Sequence, residues 1–564
     1  MKRWIWLLTV VLSCTGGNTE NTIAYTNPVL HMDYSDPDAI RVGEDYYMTA
    51  SSFNHFPGLP ILHSRDLVHW EPAGAALADY PCDGSGDDFH IVVRHGEAVW
   101  APAIRYHEGW FYIYVGDPDR GIFMVRTQDP SGPWEAPVWV VRQKGFIDPC
   151  PLWDDDGRAW LSHGLAGSRA GLKSVIFVAP LSADGTHLEG PSRIVYDGHM
   201  TQPTIEGTKF YKRDGWYYIF CPAGGVATGW QTVLRARDPY GPWEERIVMA
   251  WAPGTVNGPH QGAWVSAPDG SHWFLHFQDK GAYGRIVHLQ PLRWLPDGWP
   301  LIGEDPDGDG VGQPVAGGRV GAAPALPESG CIGPYGLSPV WQYPAVPGPF
   351  WHMALPDGGI RLYSVAHGKP FTNLRDCPNL LQQKFPGESF MVKARLCFHP
   401  NPQLRERGET AGFVVMGDDY AGLCITDTED GAALSFIECP DASRGAEEKA
   451  DRQCTLPYMA HPVSHARESG NVPRVRYSDA QEAVLWVKLE VVPRPVEGDV
   501  PDAVCSFSYS PDGISWIPAG REFTARPGRW TGARWGFFCN RFSPKNDSGW
   551  LDITDLTVRC AGEE

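Results

Sequence analysis

The chain repeats itself. Five segments share one plan: a proline, an apolar run, a tight acidic or glycine turn, and an aromatic-rich run. They open at Asp36-Pro37, Ala101-Pro102, Asp148-Pro149, Gln202-Pro203 and Gly258-Pro259, about 45 to 65 residues apart. Two short runs around a Gly-assisted turn read as a β-hairpin. A second hairpin follows each. Near copies of it run from Ile61 to Glu71, Met124 to Glu135 and Val233 to Glu244, and looser versions cover Ile176 to Val195 and Arg285 to Ile302. Self-similarity at this period, with four strands per unit, is the signature of a propeller blade. The repeats therefore predict an all-β chain that begins with a five-bladed β-propeller over residues 25–316.

Composition agrees. Glycine (63) and proline (51) are too dense for long helices, and 43% apolar residues suffice for large cores. The regular spacing stops after Arg319, and a Gly/Ala/Pro-rich stretch at 317–330 reads as a linker. Residues 331–564 carry further strand patterns at Phe390 to Phe398, Ala483 to Val491, Val504 to Tyr509, Trp535 to Cys539 and Leu551 to Val558, which predict a β-sandwich. Trp486, Trp516, Trp530 and Trp535 fall largely in such patterns and are assigned to its core.

Residues 1–24 read as a leader and tether. Met1-Lys2-Arg3 precedes a short apolar run, too short to span a bilayer, that leads into Val11-Leu12-Ser13-Cys14. That tetrapeptide resembles the bacterial lipobox, with Cys14 placed to carry a lipid anchor. The expected location is the periplasm or cell surface as a lipoprotein, or otherwise secretion. The remaining cysteines form neither a CxxC pair nor a compact disulfide pattern and read as small buried hydrophobes. A net charge of −20 excludes phosphate-backbone binding, so no nucleic-acid partner is expected.

Among 67 acidic residues, position in the repeat separates three. Asp36 and Asp148 stand immediately before the repeat proline of units one and three. Glu206 lies four residues beyond the equivalent place in unit four. If the intervening chain is extended, an even offset keeps it on the same side. The first strand of each blade lines the shaft, so the three should converge at one end of it. Converging carboxylates are costly unless chemistry uses them, and glycoside hydrolysis does: one acts as base, one stays protonated as acid, and a third tunes them by like-charge repulsion.

Tyr34-Ser35-Asp36-Pro37-Asp38, Ser51 to Gly58, Trp100-Ala101-Pro102, Ile205-Glu206-Gly207 and His276 to Arg285 resemble glycoside hydrolase family 43, in its branch of β-xylosidases and α-L-arabinofuranosidases with a concanavalin-like C-terminal sandwich. Gly528 to Ala533 carries a weaker likeness into the tail. The resemblance implies an exo-acting inverting hydrolase of xylan or arabinoxylan oligosaccharides, with Asp36 as general base, Glu206 as general acid and Asp148 as modulator of the acid. It further implies Phe53 and Trp100 as walls of the terminal-pentose subsite and Arg285 as a hydrogen-bond donor to sugar and carboxylate. No cofactor is required, although His260 implies a calcium ion held through water at the propeller axis. The residue before the base is Ser35, where the family often has proline. Xylose and arabinofuranose both remain open, as does the oligomeric state. The rival reading is a non-catalytic carbohydrate-binding surface protein on the same propeller. The acid set argues against it, because recognition alone needs no base–acid pair. A phosphorylase or transferase would need a basic cluster that the sequence lacks. Asp305 to Gly310 alternates acids as calcium loops do, but Ala316 stands where an EF-hand has its twelfth-position glutamate, so it reads as a solvated turn.

Overall fold

In the computed structural model, the described residues are 22–81, 89–251, 258–326, 330–367, 371–401, 408–429, 431–460, 481–496, 498, 500–542 and 547–562. Of the stretch read as leader and tether, residues 1–21, Cys14 among them, lie outside the described set, whereas residues 22–24 open the strand Thr22–Thr26.

Residues 38–302 form five four-stranded antiparallel sheets, each in strict chain order. Blade I comprises Asp38–Val42, Asp45–Thr49, Gly58–Ser64 and Glu71–Leu77; blade II, Trp100–His107, Trp110–Asp117, Gly121–Thr127 and Val138–Val141. Blade III comprises Phe146–Trp153, Ala159–Leu165, Val175–Leu181 and Arg193–Asp197; blade IV, Lys209–Arg213, Trp216–Ala223, Trp230–Ala236 and Glu244–Ala250. Blade V has His260–Ser266, His272–Asp279, Arg285–Trp294 and Pro300–Ile302. The turn chemistry is the one the repeats announce. Glu108-Gly109 and Asp214-Gly215 both have positive φ at each residue, as two-residue primed hairpin turns require. In the second hairpins of blades II and IV, Asp129 and Asp238 accept hydrogen bonds from the N–H two residues on, Ser131 and Tyr240, each at 2.9 Å.

The ring closes where the first strand of blade V packs on that of blade I. The stretch read as a linker is not one throughout. Gly317–Gly321 is a strand, antiparallel to Thr22–Thr26 in the register Thr22↔Gly321 to Thr26↔Gly317. Strand pairing overrides the Gly/Ala/Pro composition there, and residues 327–329 lie outside the described set.

The C-terminal half is a sandwich of an eight-stranded and a seven-stranded sheet. Phe390–His399 is flanked by Gln481–Arg494 and Trp550–Cys560 in the larger sheet, and Glu409–Met416, Tyr420–Thr428 and Gly431–Cys439 lie side by side in the smaller. Trp535 and Phe537 lie at the core between the sheets. Trp486 and Trp516 do not enter it: both are half-buried on its outer side, where Lys393 Nζ lies 4.6 Å and 5.5 Å from their rings. All eleven described cysteines are free, as small hydrophobes would be.

The halves are joined by specific contacts. Phe56 N donates to Tyr343 O at 2.8 Å and Gln342 Nε2 to Pro57 O at 2.8 Å. Asp33 accepts from Arg285 N at 2.9 Å and from Gly532 N at 3.0 Å, so one carboxylate ties blade V to a sandwich loop. Lys384 lies 3.7 Å over the Tyr34 ring in the same interface.

Candidate active site

Asp36, Asp148 and Glu206 line one pocket at the shaft, together with Phe53, Trp100, His260, Arg285 and Trp530. Its volume is about 270 Å³. Drug-sized ligands occupy about 300–1,000 Å³, so this pocket suits a small ligand or the end of a longer one.

The backbone places these groups by departing from regular strand. Asp36 and Asp148 both have φ of 55°, and the first strand of blade III slips register between Ile147 and Cys150, so Asp148 sits on a bulge. Bulges also occur at the same end of blade II (Trp100/Pro102) and blade V (His260/Gly262). The extended-strand argument does not describe how Glu206 arrives. Residues 202–205 form a turn closed by Ile205 N to Gln202 O at 3.1 Å, Thr204 and Gly207 have φ of 59° and 64°, and the strand begins only at Lys209. Glu206 reaches the shaft from a turn, not by strand parity.

The two aspartates are held differently. Asp36 accepts Ser51 Oγ at 2.6 Å and Ser35 Oγ at 3.0 Å on Oδ2, and Arg285 Nη1 at 3.3 Å on Oδ1. Arg285 Nη1 also donates to Ser35 Oγ at 2.6 Å. Ser51 was quoted in the sequence motif but given no role; the structure makes it the shortest bond to Asp36. Asp148 Oδ2 accepts Gly207 N at 2.7 Å, while Thr208 Oγ1 donates to its carbonyl at 2.7 Å.

Glu206 has the environment of an acid. Burial, then the charges of Asp148 and Asp36, push its carboxyl up to about 8, against the opposing pull of Arg285 and Lys173. Burial also raises Asp148, which the Gly207 N–H partly offsets. That bond stabilises the Asp148 anion, so a proton shared between the pair resides on Glu206. Its nearest basic neighbour, His260 Nε2, is 3.6 Å from Glu206 Oε1. Burial and Arg285 push His260 down to about 3, so the imidazole is neutral and the contact is not an ion pair. Both His260 ring nitrogens, and the neighbouring Gln261 Oε1, are buried without a hydrogen-bond partner.

The walls are aromatic. Phe53 and Trp100 meet edge to face at 6.5 Å, and Trp100 meets Trp530 at 6.1 Å. Trp530, assigned from the sequence to the sandwich core together with Trp486 and Trp516, instead lines this pocket. It is 40% exposed in a loop of the sandwich, and Arg285 Cζ lies 5.8 Å from its ring. Gly96 permits this approach: with φ of 75°, a Cβ there would lie 2.5 Å from Arg529 Cγ. The signal for Trp530 was its membership of the Gly528 to Ala533 motif, which outranked its aromatic character. The Asp305 turn is self-capped, with Asp305 Oδ1 accepting Gly308 N at 2.8 Å.

Comparison with known proteins agrees with this geometry. The profile described as Glycosyl hydrolases family 43 matches residues 25–300, and that of the Beta xylosidase C-terminal Concanavalin A-like domain matches residues 335–559. A protein of Xylanibacter ruminicola, provisionally named a beta-xylosidase, is 36% identical over 538 residues, covering 93% of this chain and 88% of its own. A Non-reducing end alpha-L-arabinofuranosidase of Bacteroides ovatus is 30% identical over 443 residues, or 73% of this chain and 78% of its own. Among solved structures, xylan beta-1,4-xylosidase from Bacillus halodurans superposes with a TM-score of 0.74 at 23% identity, covering 95% of this chain and 99% of that one, a likeness of fold.

Proposed function

The chain belongs to the glycosyl hydrolases of family 43, and from that premise we propose that this glycosidase is an exo-acting, inverting hydrolase releasing one terminal pentose, β-D-xylose or α-L-arabinofuranose, from xylan-derived oligosaccharides. The observation that carries the reading is the difference in setting between the two flanking carboxyls: Asp36 accepts hydrogen bonds from Ser35, Ser51 and Arg285, whereas burial and the charges of Asp148 and Asp36 push the Glu206 carboxyl up to about 8. In the proposed reaction Asp36 takes a proton from a water whose oxygen attacks the anomeric carbon. Glu206 gives its proton to the departing glycosidic oxygen as that bond breaks. Asp148 keeps Glu206 protonated, and Arg285 orients Asp36 while offering a donor to the sugar. The small aromatic-walled pocket supports release of an end unit, since Trp530 stands across one side. The relatives' names support a pentose in either ring form.

The unpartnered nitrogens of His260 and Gln261 Oε1 fit a calcium ion held through its waters, since calcium prefers oxygen ligands. Bound there, it would supply positive charge close to the acids. Export and a lipid anchor at Cys14 belong to the same proposal, placing the enzyme where polysaccharide fragments arrive.

The test is sugar release from aryl xyloside, aryl arabinofuranoside and arabinoxylan oligomers, with product anomers followed by proton NMR. Inverted pentose is expected, and Asp36→Asn should reduce turnover on every substrate by at least about 10³-fold while leaving the folded spectrum intact. A first product of retained configuration, or an active Asp36→Asn, would falsify the assignment.

A further inference from the structure

We propose that the outer face of the larger sandwich sheet holds a zinc-type divalent cation between Cys397 Sγ, His399 Nε2 and Glu482 Oε2. The strand Phe390–His399 points Leu396 and Phe398 into the core, so Cys397 and His399 share the opposite face. Glu482 precedes Ala483, which pairs with Phe398, and so comes opposite His399 on that face. The three atoms converge: Cys397 Sγ is 3.2 Å from His399 Nε2 and 3.3 Å from Glu482 Oε2, and His399 Nε2 is 3.6 Å from the same carboxylate oxygen. Metal bonds of about 2.3 Å to sulfur and about 2.0–2.2 Å to nitrogen and oxygen, at tetrahedral angles, set sulfur about 3.5–3.7 Å from the other two ligand atoms and those two about 3.3–3.6 Å apart. The spacing on the sheet lies within a few tenths of an ångström of a metal's coordination sphere. Among the described residues no other three His, Cys, Asp or Glu side chains gather in this way.

A Cys–His–Glu nucleophile is the competing use of such a trio, and the geometry opposes it. A triad needs the thiol on one ring nitrogen and the carboxylate on the other. Here both face Nε2. The ring is also oriented as a ligand: it stacks on Trp550 at 4.7 Å between centroids. Asp552, clamped by Arg361 through contacts of 2.6 and 2.8 Å, lies 3.8 Å from the same Nε2. Thiolate and imidazole together select zinc, or cobalt as its spectroscopic substitute, over calcium or magnesium. Three protein ligands leave the fourth position to water. The cation would tie the end of one strand to the start of its neighbour and stabilise the sandwich without entering the sugar pocket.

The experiment uses the full chain, stripped of metal by a chelator with thiols kept reduced, and titrated with cobalt(II). One equivalent is expected to produce a sulfur-to-cobalt charge-transfer band and intensified visible bands, both removed by one equivalent of zinc. Cys397→Ala should lose the charge-transfer band and the zinc-induced rise in Tm while keeping full glycosidase activity. Glu482→Gln, which preserves shape, should weaken zinc binding at least about tenfold. Absence of the band at stoichiometric cobalt overturns the proposal. So does a band that persists in Cys397→Ala, because the metal would then reside on another of the free cysteines.

Discussion

At the residue scale the site sets three like carboxyls in unlike surroundings through the groups that face them. Asp36 is bonded by Ser35, Ser51 and Arg285; Glu206 is half-buried beside two carboxyls with a neutral imidazole for company. If Glu206 is the acid, the alkaline limb of kcat/KM follows its raised value, about 8. Asp148→Asn removes the larger of the two charges holding that value up, so the limb should move to lower pH. An unchanged limb would deny Asp148 its modulating part. The same shift has a consequence for stability. A carboxyl raised from 4.5 to about 8 makes the native state bind more protons than the unfolded chain between those values, so stability falls as pH rises through that window. Glu206→Gln removes this titration. Its Tm should decline less between pH 5 and 8 than that of the native chain, while activity is lost most severely on poor leaving groups. A parallel decline of both proteins in differential scanning calorimetry would contradict the raised value.

At the element scale the chain was legible where segments repeat, even though blade strands such as Trp110–Asp117 and Trp216–Ala223 are covered on both faces. All five repeats became blades, and residues from separate repeats, Asp36, Phe53, Trp100, Asp148, Glu206 and Arg285, came to one pocket. Three adjacent strands, Glu409–Met416, Tyr420–Thr428 and Gly431–Cys439, escaped notice because both their faces are covered. Phe413 and Val415 enter the main core, while Val414 and Met416 pack against Leu374, Cys377 and Leu380 on the other side. Strands buried on both faces lose the period-two pattern. The route by which Glu206 reaches the shaft was equally hidden, since a turn with two positive φ values leaves only a Gly and a Thr in the sequence. Gly207 is the element on which that turn depends. A Cβ there would lie 2.6 Å from Gln261 Cγ and 2.8 Å from Pro222 Cδ, at a φ of 64°. Gly207→Ala should cost about 1–3 kcal/mol of stability and, by shifting the N–H that Asp148 accepts, lower kcat more than it raises KM. Urea unfolding and steady-state kinetics on the same sample check both.

At the scale of the whole molecule, the pocket is a joint product of two folds. The propeller supplies the acids and two aromatic walls; the sandwich supplies Trp530. Asp33 couples them, one carboxylate oxygen on Arg285 N and the other on Gly532 N, two residues from Trp530. Losing this acceptor leaves two N–H groups in a buried interface without their partner, at about 1–3 kcal/mol each. Asp33→Ala should therefore lower Tm. It should also raise KM, because the loop bearing Trp530 is no longer fixed against blade V, whereas the acids keep their own bonds to Ser51 and Gly207 and kcat falls less. Trp530→Ala separates the two effects. It removes the wall but not the joint, so KM should rise by about tenfold with Tm nearly unchanged. If Asp33→Ala lowers Tm yet leaves KM at the native value, the sandwich braces the propeller without shaping the site. Should Trp530→Ala also leave KM unmoved, the terminal sugar is held by Phe53, Trp100 and Arg285 alone.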